Sequence, residues 1–431
     1  MIDWKKILSA FRVPELRKKF LVVFALLIVF RVAAVIPVPG IPTESLENLF
    51  RGNQLFGLLD IFSGGGLSNL SIMMLGVGPY ITASIVMQLL TMIVPRLEEL
   101  QKEEGEAGRQ KINQWTRILT VPLAALQAFG FINLLQRGGL AQGVAGIAFT
   151  PWELIVTLVT VTCGTIFLMW LGELITEQGI GNGISLIIFV GIIARLPQVL
   201  AQTYATFTPD LLVTYLAFLV VFVVVIAGVI VVTEGQRSIP VSYAKRVRGN
   251  RIFGGVATHL PLRVNQAGVI PIIFALSIML FPGVIANFLV GVQNATVARV
   301  AGSIVNLFQD QWFYGITYFV LVVLFTYFYT SVTFDPYNIA ENIQKQGGFI
   351  PGIRPGKQTA NFLKYVINRI TLTGALFLGL IAVLPLIVQG LTGLQTLTIG
   401  GTALLIVVSV VLETMKQIES QLTVREYEGL A

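Results

Sequence analysis

Histidine, cysteine and charge are scarce in this 431-residue chain, and each scarcity removes a class of function. The one histidine, His259, lies between two apolar runs, so no histidine triad or histidine metal cluster can form within the runs. The one cysteine, Cys163, lies inside an apolar run, which leaves no disulfide framework, no multi-thiolate metal site and no expectation of redox chemistry. Charged residues make up 12% of the chain against 55% hydrophobic ones, and the mean hydropathy is +0.80. That balance is too apolar for a soluble globule. Neither an enzyme nor a cofactor is expected.

Long apolar runs fill the chain instead: 20–36, 72–94, 118–135, 152–171, 180–194, 211–232, 267–290, 312–334, 370–388 and 394–412. Of the 29 Lys and Arg, all except Arg31, Arg51, Arg137, Arg195 and Arg299 lie in the two tails or the even-numbered gaps, although the fourth gap holds none. The positive-inside rule turns this into a ten-span membrane protein with both ends cytoplasmic. The run 180–194 is too short to span on hydropathy. Without a crossing there, however, the basic gap 233–266 would face outward. The net charge of +7 reads as topology plus an anionic cytoplasmic partner, lipid head groups or nucleic acid. Arg17, Lys18 and Lys19 before the first run resemble a secretory signal. That run ends in Pro37-Val38-Pro39-Gly40 rather than a small-x-small site, so it is read as an uncleaved first helix.

The gaps differ in kind. Residues 53–70 are too glycine-broken to span, and at membrane depth they need protein or a water-filled cavity around them. A short re-entrant helix and an external glycine-turned loop both fit. In the gap 233–266, alternating Arg237, Ile239, Val241 and Tyr243 lead to Lys245, Arg246, Arg248 and Arg251, the pattern of a β-hairpin with a charged tip. The gap 335–369 carries a turn-rich tip with Arg354 and Lys357. In 95–117, glutamates match the cations, and a solvated connector is expected. Five spans per half, with opposite starting orientation, permit an inverted repeat.

Ion-coupled transport needs ionisable groups near the midplane. The runs contain almost none: Arg31 is close enough to its helix end to snorkel, and Glu153 sits at a span edge. An ion-coupled solute transporter, the alternative function, therefore lacks its coupling groups. An intramembrane protease lacks a nucleophile–base pair. The interior polar residues Thr82, Ser84, Gln88, Gln127, Asn265 and Ser277 are neutral. They either glue helices together or line a seam that opens. Gly179-Ile180-Gly181-Asn182-Gly183 follows no strand, which sets aside a dinucleotide loop.

Seven ordered blocks carry a resemblance. They are Gly78-Pro79-Tyr80-Ile81-Thr82-Ala83-Ser84-Ile85, Glu104-Gly105-Glu106-Ala107-Gly108-Arg109, Gly179-Ile180-Gly181-Asn182-Gly183-Ile184-Ser185 and Tyr243-Ala244-Lys245-Arg246. Asn265-Gln266-Ala267-Gly268-Val269-Ile270-Pro271, Pro351-Gly352-Ile353-Arg354-Pro355-Gly356 and Gly400-Gly401-Thr402 follow. Together they resemble the bacterial SecY family, pore subunits of the SecYEG secretion channel, from about residue 11 to residue 428. The resemblance implies an all-α polytopic membrane protein of ten transmembrane helices. These would form a clamshell of two pseudo-symmetric five-helix halves, 1–202 and 203–431, with a short re-entrant plug helix at about 56–70.

It further implies an hourglass pore whose waist is Val77, Ile81, Ile184, Ile188, Ile273 and Ile406. Phe62, Ser63, Gly64, Gly65, Gly66, Leu67, Ser68, Asn69 and Leu70 would form the plug. Thr82, Gln127 and Asn265 match the polar cluster of a lateral gate built from the second, third, seventh and eighth spans. Lys245, Arg246, Arg248, Arg251, Arg354 and Lys357 would dock the ribosome, through its RNA, or the SecA motor. The implied partners are SecE-like and SecG-like subunits, SecA, the ribosome, signal sequences, nascent polypeptides and membrane lipid. The implied function is a protein-conducting channel of the bacterial inner membrane, passing unfolded chains across and membrane segments sideways into lipid.

Overall fold

Hydrocarbon cannot hydrogen-bond a peptide group, so an apolar run that crosses it must satisfy its own backbone as a helix. A computed structural model describes residues 13–39, 63, 65–67, 70–102, 104–141, 150–205, 208–209, 212–243, 246–248, 251–253, 257–290, 295–392 and 400–428. Each apolar run contains an α-helix over most of its described residues. The helices are α1 (Pro14–Ala33), α2 (Gly78–Ile93), α4 (Gly105–Ala141), α5 (Pro151–Glu177), α6 (Gly183–Ala205), α7 (Leu212–Glu234), α8 (Ile270–Val290), α10 (Gln311–Thr333), α12 (Lys357–Thr392) and α13 (Gly400–Glu428). Shorter helices α3 (Pro95–Lys102), α9 (Ala295–Gln309) and α11 (Pro336–Lys345) connect them. Helices α4, α5, α6, α7, α10 and α12 are long and apolar enough to cross a bilayer unaided.

The fifth run is short only in hydropathy. Helix α6 continues through Arg195 and Pro197 to Ala205, giving 23 residues. Helix α2 departs the other way, because its run begins at Ile72 but the helix begins at Gly78, after a series of turns. Sixteen residues at about 1.5 Å each reach only about 24 Å, short of a hydrocarbon core of about 30 Å. Glu153 is part of a capping box rather than a buried charge. The Thr150 amide donates to its carboxylate at 2.8 Å, and its own amide donates to Thr150 Oγ1 at 3.3 Å.

The chain divides into two compact units, 1–212 with 276–311 and 406–431, and 213–275 with 312–405. In the first, the irregular stretch before α2 packs against α4 and α5. Leu67, Leu70 and Met74 form one cluster with Val38, Ala128, Phe131 and Val161, each at most 5% exposed. Gly164 permits this approach, since a Cβ there would stand 2.0 Å from the Ile72 carbonyl oxygen.

The second unit holds the expected hairpin. Strand β1 (Gln236–Tyr243) pairs antiparallel with β4 (Ala257–Arg263), from Gln236 opposite Arg263 to Ser242 opposite Ala257. Strands β2 (Arg246–Arg248) and β3 (Arg251–Phe253) form the tip, and β5 (Gly348–Phe349) adds to the free edge of β1. Alternation along β1 sends Ile239 and Val241 inward, where Leu262, Ile350, Leu363, Val366 and Ile367 complete a core. Helix α7 is far less enclosed, with Val225 and Val229 its buried residues.

Replacing Gly164 by alanine forces the Ile72 backbone to move, an overpacking that costs about 1–3 kcal/mol. Gly302 has nothing within 4 Å of a built Cβ and lies in a helix, where alanine is favoured by roughly 0.5–1 kcal/mol. Thermal unfolding in detergent is expected to show Gly164→Ala melting earlier than the parent and Gly302→Ala no earlier.

Candidate functional site

The apolar residues expected at the waist sit where helices begin or approach one another. Val77 is the residue before α2, fully buried, and its carbonyl accepts the Ile81 amide at 3.0 Å. Ile81, Ile188, Ile273 and Ile406 are also buried. Ile184 is half-buried, and its Cδ1 lies 2.5 Å from where a Cβ would stand at Gly172, so its side chain occupies a glycine notch of α5. Val77, Ile81, Ile184, Ile188 and Ile406 belong to the first unit and Ile273 to the second.

Of the expected plug, Phe62, Gly64, Ser68 and Asn69 lie outside the described residues, as do 56–61. The remainder is a series of turns rather than a helix. The Gly66 amide donates to the Ser63 carbonyl at 3.2 Å and the Leu70 amide to the Leu67 carbonyl at 3.0 Å. Left-handed φ values of 85° at Gly65 and 45° at Leu70 mark turns at these two residues. Ser63 is buried, and its Oγ accepts the Leu67 amide at 2.9 Å. Gly66 admits no side chain: a Cβ would meet Ser71 Oγ at 2.8 Å and the Met73 carbonyl oxygen at 2.9 Å. Arg195 passes beside Gly65, its Cγ 3.8 Å from a built Cβ.

The expected gate residues differ in how they are satisfied. Thr82 Oγ1 donates to the Gly78 carbonyl at 3.1 Å, a bond within its own helix. Gln127 is half-buried on α4. Asn265 is 6% exposed; its Nδ2 donates to the Gly268 carbonyl at 3.2 Å, while its Oδ1 accepts no bond from any described residue. Gln88 Oε1 is buried in the same condition. Thr82 and Gln127 belong to the first unit and Asn265 to the second.

Two features escaped sequence reasoning. Arg117 Nε donates to Glu173 Oε1 at 2.6 Å, tying α4 to α5. Each residue lies just beyond an apolar run, so neither counted as part of a span, although two helices continue through them. The clue was available as opposite charges flanking consecutive runs on the same side. The second is the glycine loop 179–183, which is a tight joint. Gly179 has φ 73°, and its carbonyl accepts Gln421 Nε2 of α13 at 2.6 Å. A Cβ at Gly183 would stand 1.9 Å from the Gly172 carbonyl oxygen, and the Gly183 amide donates to Thr176 Oγ1 at 2.9 Å.

The cationic tips are placed by the second unit's core. Arg248 and Arg251 face each other in register across β2 and β3, with Arg246 opposite Phe253. Lys245 lies outside the described residues. Arg354 and Lys357 are exposed on a turn whose base is fixed from both ends. Phe349 pairs with Ser242 and Ile350 is buried on one side; on the other, Thr359 Oγ1 donates to the Arg354 carbonyl at 3.0 Å. Gly352 and Gly356 adopt φ of 83° and 95°, which side-chain-bearing residues rarely adopt. Among the described residues, no His, Cys, Asp or Glu cluster could hold a metal.

Residues 71–415 match the SecY family model. The chain is 45% identical over 438 residues to the protein translocase subunit SecY of Mycobacterium tuberculosis, covering 98% of each. It is 46% identical over 432 residues to that of Streptomyces galbus, covering 97% of this chain and 98% of the relative. Its fold is similar to that solved as a protein-conducting channel, with TM-score 0.62 and 19% identity over 92% of this chain and 90% of that one. Sec61 in the canine ribosome–channel complex gives TM-score 0.60 and 19% identity over the same shares. These relatives do not favour the solute-transporter alternative. Identity of this degree along nearly the whole length, on a helical scaffold, places the chain in the SecY family of bacterial protein translocase subunits, a family of membrane channels rather than enzymes.

Proposed function

We propose that this chain is the pore through which unfolded secretory polypeptides cross the bacterial inner membrane, and from which membrane segments pass sideways into lipid. The observation that carries this reading is the buried, non-helical stretch leading into α2. Lipid excludes irregular backbone, whereas the wall of a cavity tolerates it. Val77, Ile81, Ile184, Ile188, Ile273 and Ile406 form the waist. A narrow ring of branched apolar groups dewets when closed and yields around a passing chain without binding its sequence. Residues 56–70 form the plug above it. The chain folds as two five-helix halves, 1–202 and 203–431, with both termini cytoplasmic.

Thr82, Gln127 and Asn265 border the lateral gate, a two-state seam that an apolar signal helix biases toward the open form. Lys245, Arg246, Arg248, Arg251, Arg354 and Lys357 dock anionic partners, ribosomal RNA or the SecA motor. SecE-like and SecG-like subunits complete the assembly. The driving force comes from the bound motor, from translation or from the proton gradient.

The test is reconstitution into vesicles with the partner subunits and motor. A precursor bearing a signal sequence is expected to become protease-protected, and the same precursor without its signal is not. Absence of protection together with saturable uptake of a small solute contradicts the reading. In ribosome binding, Arg354→Glu is expected to weaken affinity roughly tenfold, and to flatten the slope of log affinity against log salt by about one. Its melting temperature should match the parent, because Arg354 is exposed.

A further inference from the structure

Helix α9 (Ala295–Gln309) coincides with no apolar run, and the channel reading gives it no task. At 15 residues it reaches about 22 Å, too short to cross a bilayer. Its sequence is sorted by helical angle. Val300 and Leu307, seven residues apart, share one line of the surface and are 57% and 47% exposed. Arg299 and Asn306 share the neighbouring line and are also exposed. Ala301 faces inward at 2%. The helix therefore presents an apolar flank and a polar flank side by side, both outside the protein.

The depth of α9 is fixed by its tethers. Helix α8 ends at Val290, four residues before it, and Asp310 alone separates it from α10. A helix so joined between two spans stays within one turn or so of the membrane boundary. At the same boundary, Trp312 at the start of α10 is 80% exposed, as an aromatic anchor at head-group level would be. Ile285, near the end of α8, is likewise 51% exposed. Two aliphatic side chains fall far short of the roughly 1,000 Å² that a stable protein interface buries. An amphipathic helix lying in a lipid interface needs no such area, because its partner is a continuous phase.

We propose that α9 is an interfacial helix of the outer leaflet, with Val300 and Leu307 among the acyl chains and Arg299 on lipid phosphates. This accounts for one cation that the charge asymmetry leaves on the outer side: it pairs with head groups rather than setting topology. The lipid contact goes beyond the channel reading and requires only that α8 and α10 span. The choice of leaflet rests on the proposed orientation.

The test uses the assembled channel in phospholipid vesicles, in a Cys163→Ser background. Val300→Cys, Leu307→Cys and Asn306→Cys each carry an environment-sensitive fluorophore. All three sites are at least partly exposed, so labelling leaves the fold intact. Nitroxide-bearing acyl chains are expected to quench positions 300 and 307 at least threefold more than position 306. A membrane-impermeant aqueous quencher, added on the side opposite the chain termini, should show the reverse order. Aqueous quenching of 300 and 307 as strong as that of 306 overturns the proposal. So does protection of 300 and 307 from both quenchers, which means that protein covers them. Lipid quenching at 300 and 307, with 306 reached only from the side of the termini, preserves the lipid contact. That outcome overturns both the outer leaflet and the proposed orientation.

Discussion

The constraint on which the structure depends is that hydrocarbon offers no partner to a peptide group. Nearly every buried stretch meets it by being helical. The described residues of 63–77 meet it differently, by being enclosed in protein. Their backbone groups are paired locally or with the residues that follow α1: the Leu70 carbonyl accepts the Val38 amide at 2.8 Å, Ile72 donates to the Ile36 carbonyl at 2.9 Å, and Ser71 donates to the Gly66 carbonyl at 2.8 Å. Leu67 and Leu70 seal them against α4 and α5. A glycine at 164 brings α5 close enough for the seal to form. These turns precede α2, which begins only at Gly78. That start is where Val77 and Ile81 stand.

The polar residues inside the helices divide by the same constraint. Thr82, Thr120, Thr162, Thr326 and Thr330 each donate to the carbonyl four residues back, so their hydroxyl protons are taken up within their own helices. Asn265 and Gln88 keep an acceptor that no described residue meets. The Arg117–Glu173 pair and the Gln421 clasp on Gly179 fix α4 to α5 and α13 to the α5–α6 joint.

The ten helices, the charged hairpin and the two exposed cations of the 347–357 turn were legible because each leaves a periodic or compositional mark. The end of α6 was not. Hydropathy falls at Arg195 and Pro197, whereas the helical backbone continues past both. The described turns before α2 were half legible: their glycines pointed to irregular backbone, but the left-handed Leu70 carries no sequence signature. Helix α9 was missed because an amphipathic helix of 15 residues has no apolar run to find. Ile184 could be placed on a helical face, yet its seat over Gly172 depends on a glycine twelve residues away. The candidate waist was read from motifs alone, since isolated branched apolar residues look like ordinary packing.

A polypeptide pore bounded by the first turns of α2 and α13 can be tested at two side chains. Ile81 and Ile406 would each be replaced by a photo-reactive residue, and a secretory chain stalled part-way through the reconstituted channel. Crosslinks to the stalled chain from both positions, absent when the signal sequence is removed, are the expected result. Silence at both positions while secretion proceeds would contradict a waist built from these residues.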